Sequence, residues 1–190
     1  MSKSNSGHFS GTTGAKLSSH SVRADYSDTN SKESDIIASR THGLDLRAHP
    51  SKYKQLSRKQ KQLLRKKMKD RTISKSEYKH YASNKRLDSR RQTGVDNFWR
   101  QEKERLLTGN KPTRTWTPKQ IHDILNDRKP KYNGKSFQGH HTYSVSQYPH
   151  LADQGSVIFP VTFKEHFYGW HGKDFKKSLP GKPINQSALR

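Results

Sequence analysis

The sequence has no cysteine. That absence removes disulfides, thiolate zinc sites and a cysteine nucleophile, so any metal must be held by His, Asp or Glu. Acidic residues are scarce too: 16 Asp and Glu face 38 Lys and Arg, a formal net charge of +22 with a pI near 10.3. A surface so charged repels itself unless a polyanion shares it, which makes nucleic acid the first partner to consider. A membrane surface comes second, yet there is no long apolar run and no helix pattern pairing a broad apolar face with a basic one, so membrane insertion is not expected. Apolar residues make up 27% of the 190 and mean hydropathy is −1.21. That composition predicts a modest core with much unpacked chain. Residues 1–35 lack the apolar stretch of a secretory signal, so the chain is expected to stay inside or to leave by a route without an N-terminal signal peptide.

What is present changes along the chain. The first 34 residues are rich in Ser, Gly, Thr and Asn and nearly free of large apolar residues, too few to offset the entropy of ordering. Residues 1–50 are therefore read as a disordered tail or linker. Residues 51–115 read as a basic helical region. Ser57 and Gln60 have capping-box spacing, and Leu56, Leu63, Leu64 and Met68 form a thin apolar stripe among Lys and Arg. Ser74 and Glu77 open a short helix, and a further helix carries Val95, Phe98, Trp99, Leu106 and Leu107 at helical spacing up to a cap at Gly109. Thr117, Pro118 and Gln120 then start the clearest helix of the chain, with Trp116 placed to staple onto Ile121. A charge run is usually a solvated face. Here the whole balance is so basic that Lys59, Lys61, Arg65, Lys66, Lys67 and Lys69, with Lys173 further on, are candidates for phosphate contact without base reading.

Five of the eleven histidines fall between Ser136 and Gly172. A short extended run ends at His140 and His141, a longer loop follows, SVIFPVT is β-branched and apolar, and Thr162 with Glu165 opens a helix holding His166. Imidazole binds divalent metals, and its near-neutral pKa suits proton abstraction from water. Adjacent residues at a strand end point to opposite sides, so one of His140 and His141 can face a metal while the other faces an attacking water. His166 can turn toward the strands and complete the metal site. His171 lies about 140° further round an ideal helix and joins only if the helix ends or unwinds near Gly169; otherwise it is a polar contact or phosphate donor. His150, between Pro149 and Leu151, reads as structural, and His8, His20, His42, His49, His80 and His122 lie in polar tracts or helices without partners.

The stretches NGKSFQGHHTYSVSQYPHLADQG and FPVTFKEHFYGWHGKDFKKSLPG, carrying Gly139-His140-His141, Glu165-His166 and Trp170-His171-Gly172 in that order, resemble the Gly-His-His nuclease toxins of the HNH/endonuclease VII superfamily, which occur as C-terminal domains of bacterial polymorphic toxins. The resemblance covers about Trp116 to Gly181. It implies an α+β fold in which the basic helical part precedes a ββα-metal (His-Me finger) nuclease motif over 116–181, with 182–190 as a polar tail. It also implies one divalent ion, with Zn²⁺, Mg²⁺, Mn²⁺ and Ni²⁺ all open, held by His140 and His166, and with His141 as general base. The implied activity is endonucleolytic hydrolysis of DNA, or also RNA, by an antibacterial effector delivered to a target-cell cytoplasm and neutralised by an acidic immunity protein. One departure stands out: no Asn occurs between Gly134 and Ile184, so the residue that orients the base is left between Gln154 and a backbone carbonyl. Two other readings compete, a non-catalytic nucleic-acid binder with a structural ion and a phage or mobile-element HNH nuclease.

Overall fold

The computed structural model describes residues 33–189; the part of the expected tail over 1–32 lies outside them. The chain is α+β, with four helices before two small antiparallel sheets. Helix α1, Glu33–Arg40, has Glu33 and Asp35 in its first turn and Arg40 in its last, complementing the helix dipole. Its Ile37 is fully buried. This corrects the expectation for residues 33–50. One well-placed Ile reaches the core, and the segment is held further by hydrogen bonds that the His49 amide donates to the Gln147 carbonyl and the Ser51 amide to the Ser146 carbonyl.

Helix α2, Arg58–Lys69, starts at the expected capping box of Ser57 and Gln60. Leu56 and Leu64 are buried, whereas Leu63 is 55% exposed, so the apolar stripe is thinner than the spacing implied. Helix α3, Lys75–Leu107, opens at the Ser74–Glu77 box and runs unbroken for 33 residues, roughly 50 Å at the helical rise. The two helices expected here are one. Gly94, just before the Val95 at which the second expected helix begins its apolar spacing, is buried inside α3, and a Cβ there would lie 2.4 Å from the Ala152 carbonyl oxygen. That glycine admits a neighbouring loop and does not interrupt the helix. The helix ends before Gly109, whose φ of +71° supplies the expected left-handed turn. Helix α4, Pro118–Leu125, carries the Thr117–Gln120 box, and Ile121 packs against the cluster of Trp116, Ile124 and Phe137.

Strands β1, Lys131–Tyr132, and β2, Lys135–Ser136, form a hairpin turned by Asn133 and Gly134, both at positive φ. Asn-Gly is the pair that such a two-residue turn favours. Strand β3, Gln138–His141, pairs antiparallel with β4, Ile158–Val161, setting His140 opposite Phe159 and His141 opposite Ile158. Between them lie 3₁₀ turns at Pro149–Leu151 and Gly155–Val157. After β4 a π-helix covers Glu165–Trp170.

The main core joins Ile37 of α1 and Phe98 of α3 to Tyr143, Leu151, Val157, Ile158, Phe159, Val161 and Trp170. It therefore crosses the boundary expected at residue 115. The end expected to be a polar tail is also packed: Asn185 donates its amide to the Gly169 carbonyl, and Leu189 lies against the main core. A buried carboxylate ties α3 to the segment after it. Glu102 accepts from the Thr113 amide at 2.7 Å, the Thr113 hydroxyl at 2.5 Å, the Trp116 indole at 2.7 Å and Arg105 at 3.0 Å.

Two substitutions test this packing. Gly94→Ala should lower stability by about 1–3 kcal/mol, because the added methyl meets backbone and not a yielding side chain. Ile37→Ala should cost about 2–5 kcal/mol. Urea midpoints at constant m-value measure both, and an unchanged midpoint for Ile37→Ala would detach α1 from the folded unit.

Candidate active site

Strand β3 carries adjacent histidines into two different environments. His140 is 4% exposed, with its ring 4.6 Å from Trp170 and facing the π-helix. His141 lies in a cavity of about 230 Å³ lined also by Asp88, Arg91, Gln92, Val95 and Gly139. Gly139, which precedes both, lets the strand lie against α3: a Cβ there would sit 2.8 Å from a Val95 methyl.

The π-helix decides the fate of His171. Its capping box is reciprocal, with the Thr162 amide donating to Glu165 Oε2 at 2.6 Å and the Glu165 amide donating to Thr162 Oγ1 at 3.3 Å. Arg114 clamps the same carboxylate from outside through both guanidinium nitrogens, at 3.1 and 2.9 Å, and also donates to the Pro160 carbonyl at 3.0 Å. Burial alone would raise the Glu165 carboxyl, but Arg114 and the Thr162 amide hold it below its ordinary value. The helix then widens: the His171 amide donates to the His166 carbonyl five residues back. The sequence reading required the helix to end or unwind for His171 to join His166. It widens instead and then stops at His171, which achieves the same convergence.

Three ring nitrogens now meet. His140 Nδ1 is 3.0 Å from His166 Nε2, which is 3.2 Å from His171 Nε2, and one ligand atom from each ring lies within 4.8 Å of the others. The outward nitrogens fix the tautomers. His171 Nδ1–H donates to the Lys177 carbonyl at 2.5 Å, and His166 Nδ1–H donates to Gln138 Oε1 at 2.7 Å. Both inward Nε2 atoms therefore present lone pairs to each other, a repulsive arrangement that a cation relieves. Donors on a tetrahedral ion with Zn–N bonds of about 2.0–2.1 Å stand about 3.3–3.4 Å apart; the 3.0 and 3.2 Å separations lie close to this, and three neutral imidazoles are donors that a divalent ion accepts. Burial, then repulsion from His166, His171 and His141, pushes the His140 pKa well below its usual value; burial followed by His171 lowers His166 to about 4. Neutral imidazole is the form a metal accepts.

On the other side, His141 Nε2–H donates to the Ala152 carbonyl at 2.9 Å, leaving Nδ1 as the lone-pair nitrogen. The orienting group is thus a backbone carbonyl, not Gln154. Burial lowers the His141 pKa to about 4; the Ala152 hydrogen bond opposes this and the nearby Arg91 charge reinforces it. His150 is structural as expected, with Nε2 2.8 Å from the Asp45 carbonyl oxygen.

Three contributors escaped sequence reading. Arg91 sits in a long polar run of α3 and becomes notable only when the helix lies against β3. Gln138, two residues before His140, and Arg114, between two helices, carry no motif. The basic residues divide. Lys59, Lys66 and Lys69 are exposed on α2. Lys61 bonds Asp88 at 2.5 Å, Lys67 pairs with Glu77, and Arg65 donates to the Tyr81 hydroxyl at 3.0 Å. Lys61 thereby reaches the wall of the His141 cavity, which Asp88 lines. Lys173 is exposed, with its ammonium 5.9 Å from the Tyr168 ring centre.

Residues 82–162 match the family model described as GHH signature containing HNH/Endo VII superfamily nuclease toxin. The match takes in His140 and His141 and ends before His166 and His171, which join His140 through the geometry above. A comparison with curated proteins gave no match.

His166→Ala and His171→Ala should each abolish tight Zn²⁺ binding, and Gln138→Ala should weaken it by about 10- to 100-fold by freeing the His166 tautomer. Isothermal titration measures all three. Unchanged affinity in either histidine variant removes that residue from the site.

Proposed function

We propose that this chain, whose residues 82–162 carry a GHH-signature segment of the HNH/Endo VII nuclease toxins, is a metal-dependent endonuclease that hydrolyses DNA with little sequence preference and acts as an antibacterial toxin. The observation that carries the reading is the division between neighbours on β3: His140 joins a convergent imidazole cluster, while His141 is held in one tautomer beside an arginine. A purely structural metal site has no use for the second histidine.

In this reading His140, His166 and His171 would hold the ion, β3 and the π-helix together forming a ββα-metal motif. An all-imidazole donor set favours Zn²⁺, Ni²⁺ or a similar ion over Mg²⁺, which prefers oxygen. A bound ion would supply Lewis-acid stabilisation of charge on the phosphoryl and leaving oxygens. His141 Nδ1 takes a proton from water as the new P–O bond forms and the bond to the leaving oxygen breaks. Its low proton affinity keeps it unprotonated at neutral pH, and the Ala152 carbonyl stabilises the imidazolium once it forms. Arg91 binds a non-bridging phosphate oxygen and so holds the phosphorus within reach of the water that His141 deprotonates. The exposed Lys59, Lys66, Lys69 and Lys173 contact flanking phosphates, which gives affinity without sequence selection.

No helix among the described residues is long and apolar enough to cross a membrane. Delivery to a target-cell cytoplasm and neutralisation by an acidic immunity protein complete the proposal, since a charge of +22 speeds capture of an anionic partner.

Supercoiled plasmid should be nicked by the wild-type chain, stop being nicked in EDTA, and be nicked again when Zn²⁺ or Ni²⁺ is restored. His141→Ala should bind metal normally yet lose about 100- to 10,000-fold in nicking rate. Induced in bacteria, the wild type should arrest growth and His141→Ala should not. Wild-type nicking by His141→Ala would move the base elsewhere, and a harmless but active wild type would favour the mobile-element reading.

A further inference from the structure

Beside the histidine cluster stands a group of aromatic rings that the reaction does not use. Phe163 is 56% exposed and Phe175 is 52% exposed. Phe163 stacks on Phe167 at 6.1 Å with an interplanar angle of 11°, and Phe175 closes the group at 5.0 Å from Phe167 and 6.4 Å from Phe163. The group abuts the site, with the Phe175 ring 5.4 Å from His166 and 5.1 Å from His171. Exposing such rings is costly unless a partner covers them.

Its surroundings indicate the partner. Lys164, Lys173, Lys176 and Lys177, within two residues of Phe163 or Phe175 in sequence, are exposed, and no ion pair among the described residues involves any of them. The acidic groups nearby are committed: Glu165 to Arg114, and Asp174 to the Lys176 amide at 2.9 Å. Aromatic faces together with ammonium groups that no carboxylate neutralises form the surface that single-stranded nucleic acid uses, with rings for bases and cations for phosphates. In a closed duplex the base faces are already stacked, so only a base outside the stack can occupy such rings.

We propose that Phe163, Phe167 and Phe175 form a stacking platform for an unpaired nucleobase next to the scissile phosphate, so that the enzyme acts on single-stranded or locally opened nucleic acid in preference to closed duplex. The proposal rests on the nuclease reading, because it takes the phosphate beside the platform to be the one cleaved. Phe163 is the residue to test, since its ring contacts Phe167 and Phe175 and no ring contact joins it to a histidine. Its removal therefore leaves the imidazoles in place.

The experiment titrates the 190-residue chain, in EDTA, into a short oligodeoxynucleotide carrying one fluorescent aminopurine, as a single strand and as a hairpin duplex. The wild type should bind the single strand more tightly and quench the aminopurine. Phe163→Ala should weaken single-strand binding by about 5- to 100-fold and abolish quenching, the range expected for one lost base–aromatic stack. Phe163→Tyr should restore both. A strand with an abasic site in place of the aminopurine should bind the wild type as weakly as the intact strand binds Phe163→Ala. Equal affinity for strand and hairpin, or unaltered quenching with Phe163→Ala, would overturn the proposal. So would sedimentation showing Phe163-dependent self-association, which would assign the rings to a second copy of this chain. Plasmid nicking by the wild type separately tests the underlying reading: cleavage without single-strand preference sinks the platform alone, and no cleavage with any ion sinks the nuclease.

Discussion

A single i→i+5 hydrogen bond, from the His171 amide to the His166 carbonyl, governs the geometry of the site. On an ordinary α-helix these side chains would diverge by about 140°; the widened turn puts both Nε2 atoms within 3.2 Å. A π-turn is less favourable than an α-turn and persists only where its surroundings hold it. Here the start is fixed by the Thr162–Glu165 box under Arg114, and the end by the Asn185 amide on the Gly169 carbonyl and by Lys177 on His171. Asn185 and Arg114 therefore act on the histidines through the helix backbone and Glu165, while Lys177 holds the His171 ring directly.

Burial does the electrostatic part. The chain is strongly basic, and protonated imidazoles in its midst would be repelled by one another and by their surroundings. Trp170 and the core exclude water from His140, and desolvation is the first cause of the lowered affinity for protons at His140, His141 and His166. The same burial would serve no purpose if the tautomers were free to scramble. Carbonyl and amide oxygens on the outer sides, from Ala152, Lys177 and Gln138, fix which nitrogen faces inward. Two of those three acceptors are backbone atoms, so substitution of their side chains leaves the acceptor in place.

Helix α3 joins the halves of the molecule. Its Phe98 lies in the core beneath β4, its Gly94 admits the Ala152 carbonyl and its Arg91 lines the His141 cavity. The loop that reaches Gly94 is the one whose carbonyl orients His141. Packing of α3 and alignment of His141 are therefore a single arrangement, held in part by Arg90 on the Asp153 carboxylate at 2.9 and 3.0 Å.

The sequence alone determined what depends on neighbours within one turn or one strand. The boxes at Ser57, Ser74, Thr117 and Thr162, the left-handed glycine at 109, the β-branched run of β4 and the opposite facing of His140 and His141 all follow from local bonding and side-chain alternation. The tertiary structure alone decided the rest. A buried Ile37 makes a helix of a stretch that composition assigned to the tail, close packing gives Gly94 a place inside one long helix, and distant clamps widen the turn that brings His171 to His166. Arg91, Gln138 and the Ala152 carbonyl become parts of a site only when elements far apart in sequence come together. The free energy that places them comes from contacts no local pattern encodes.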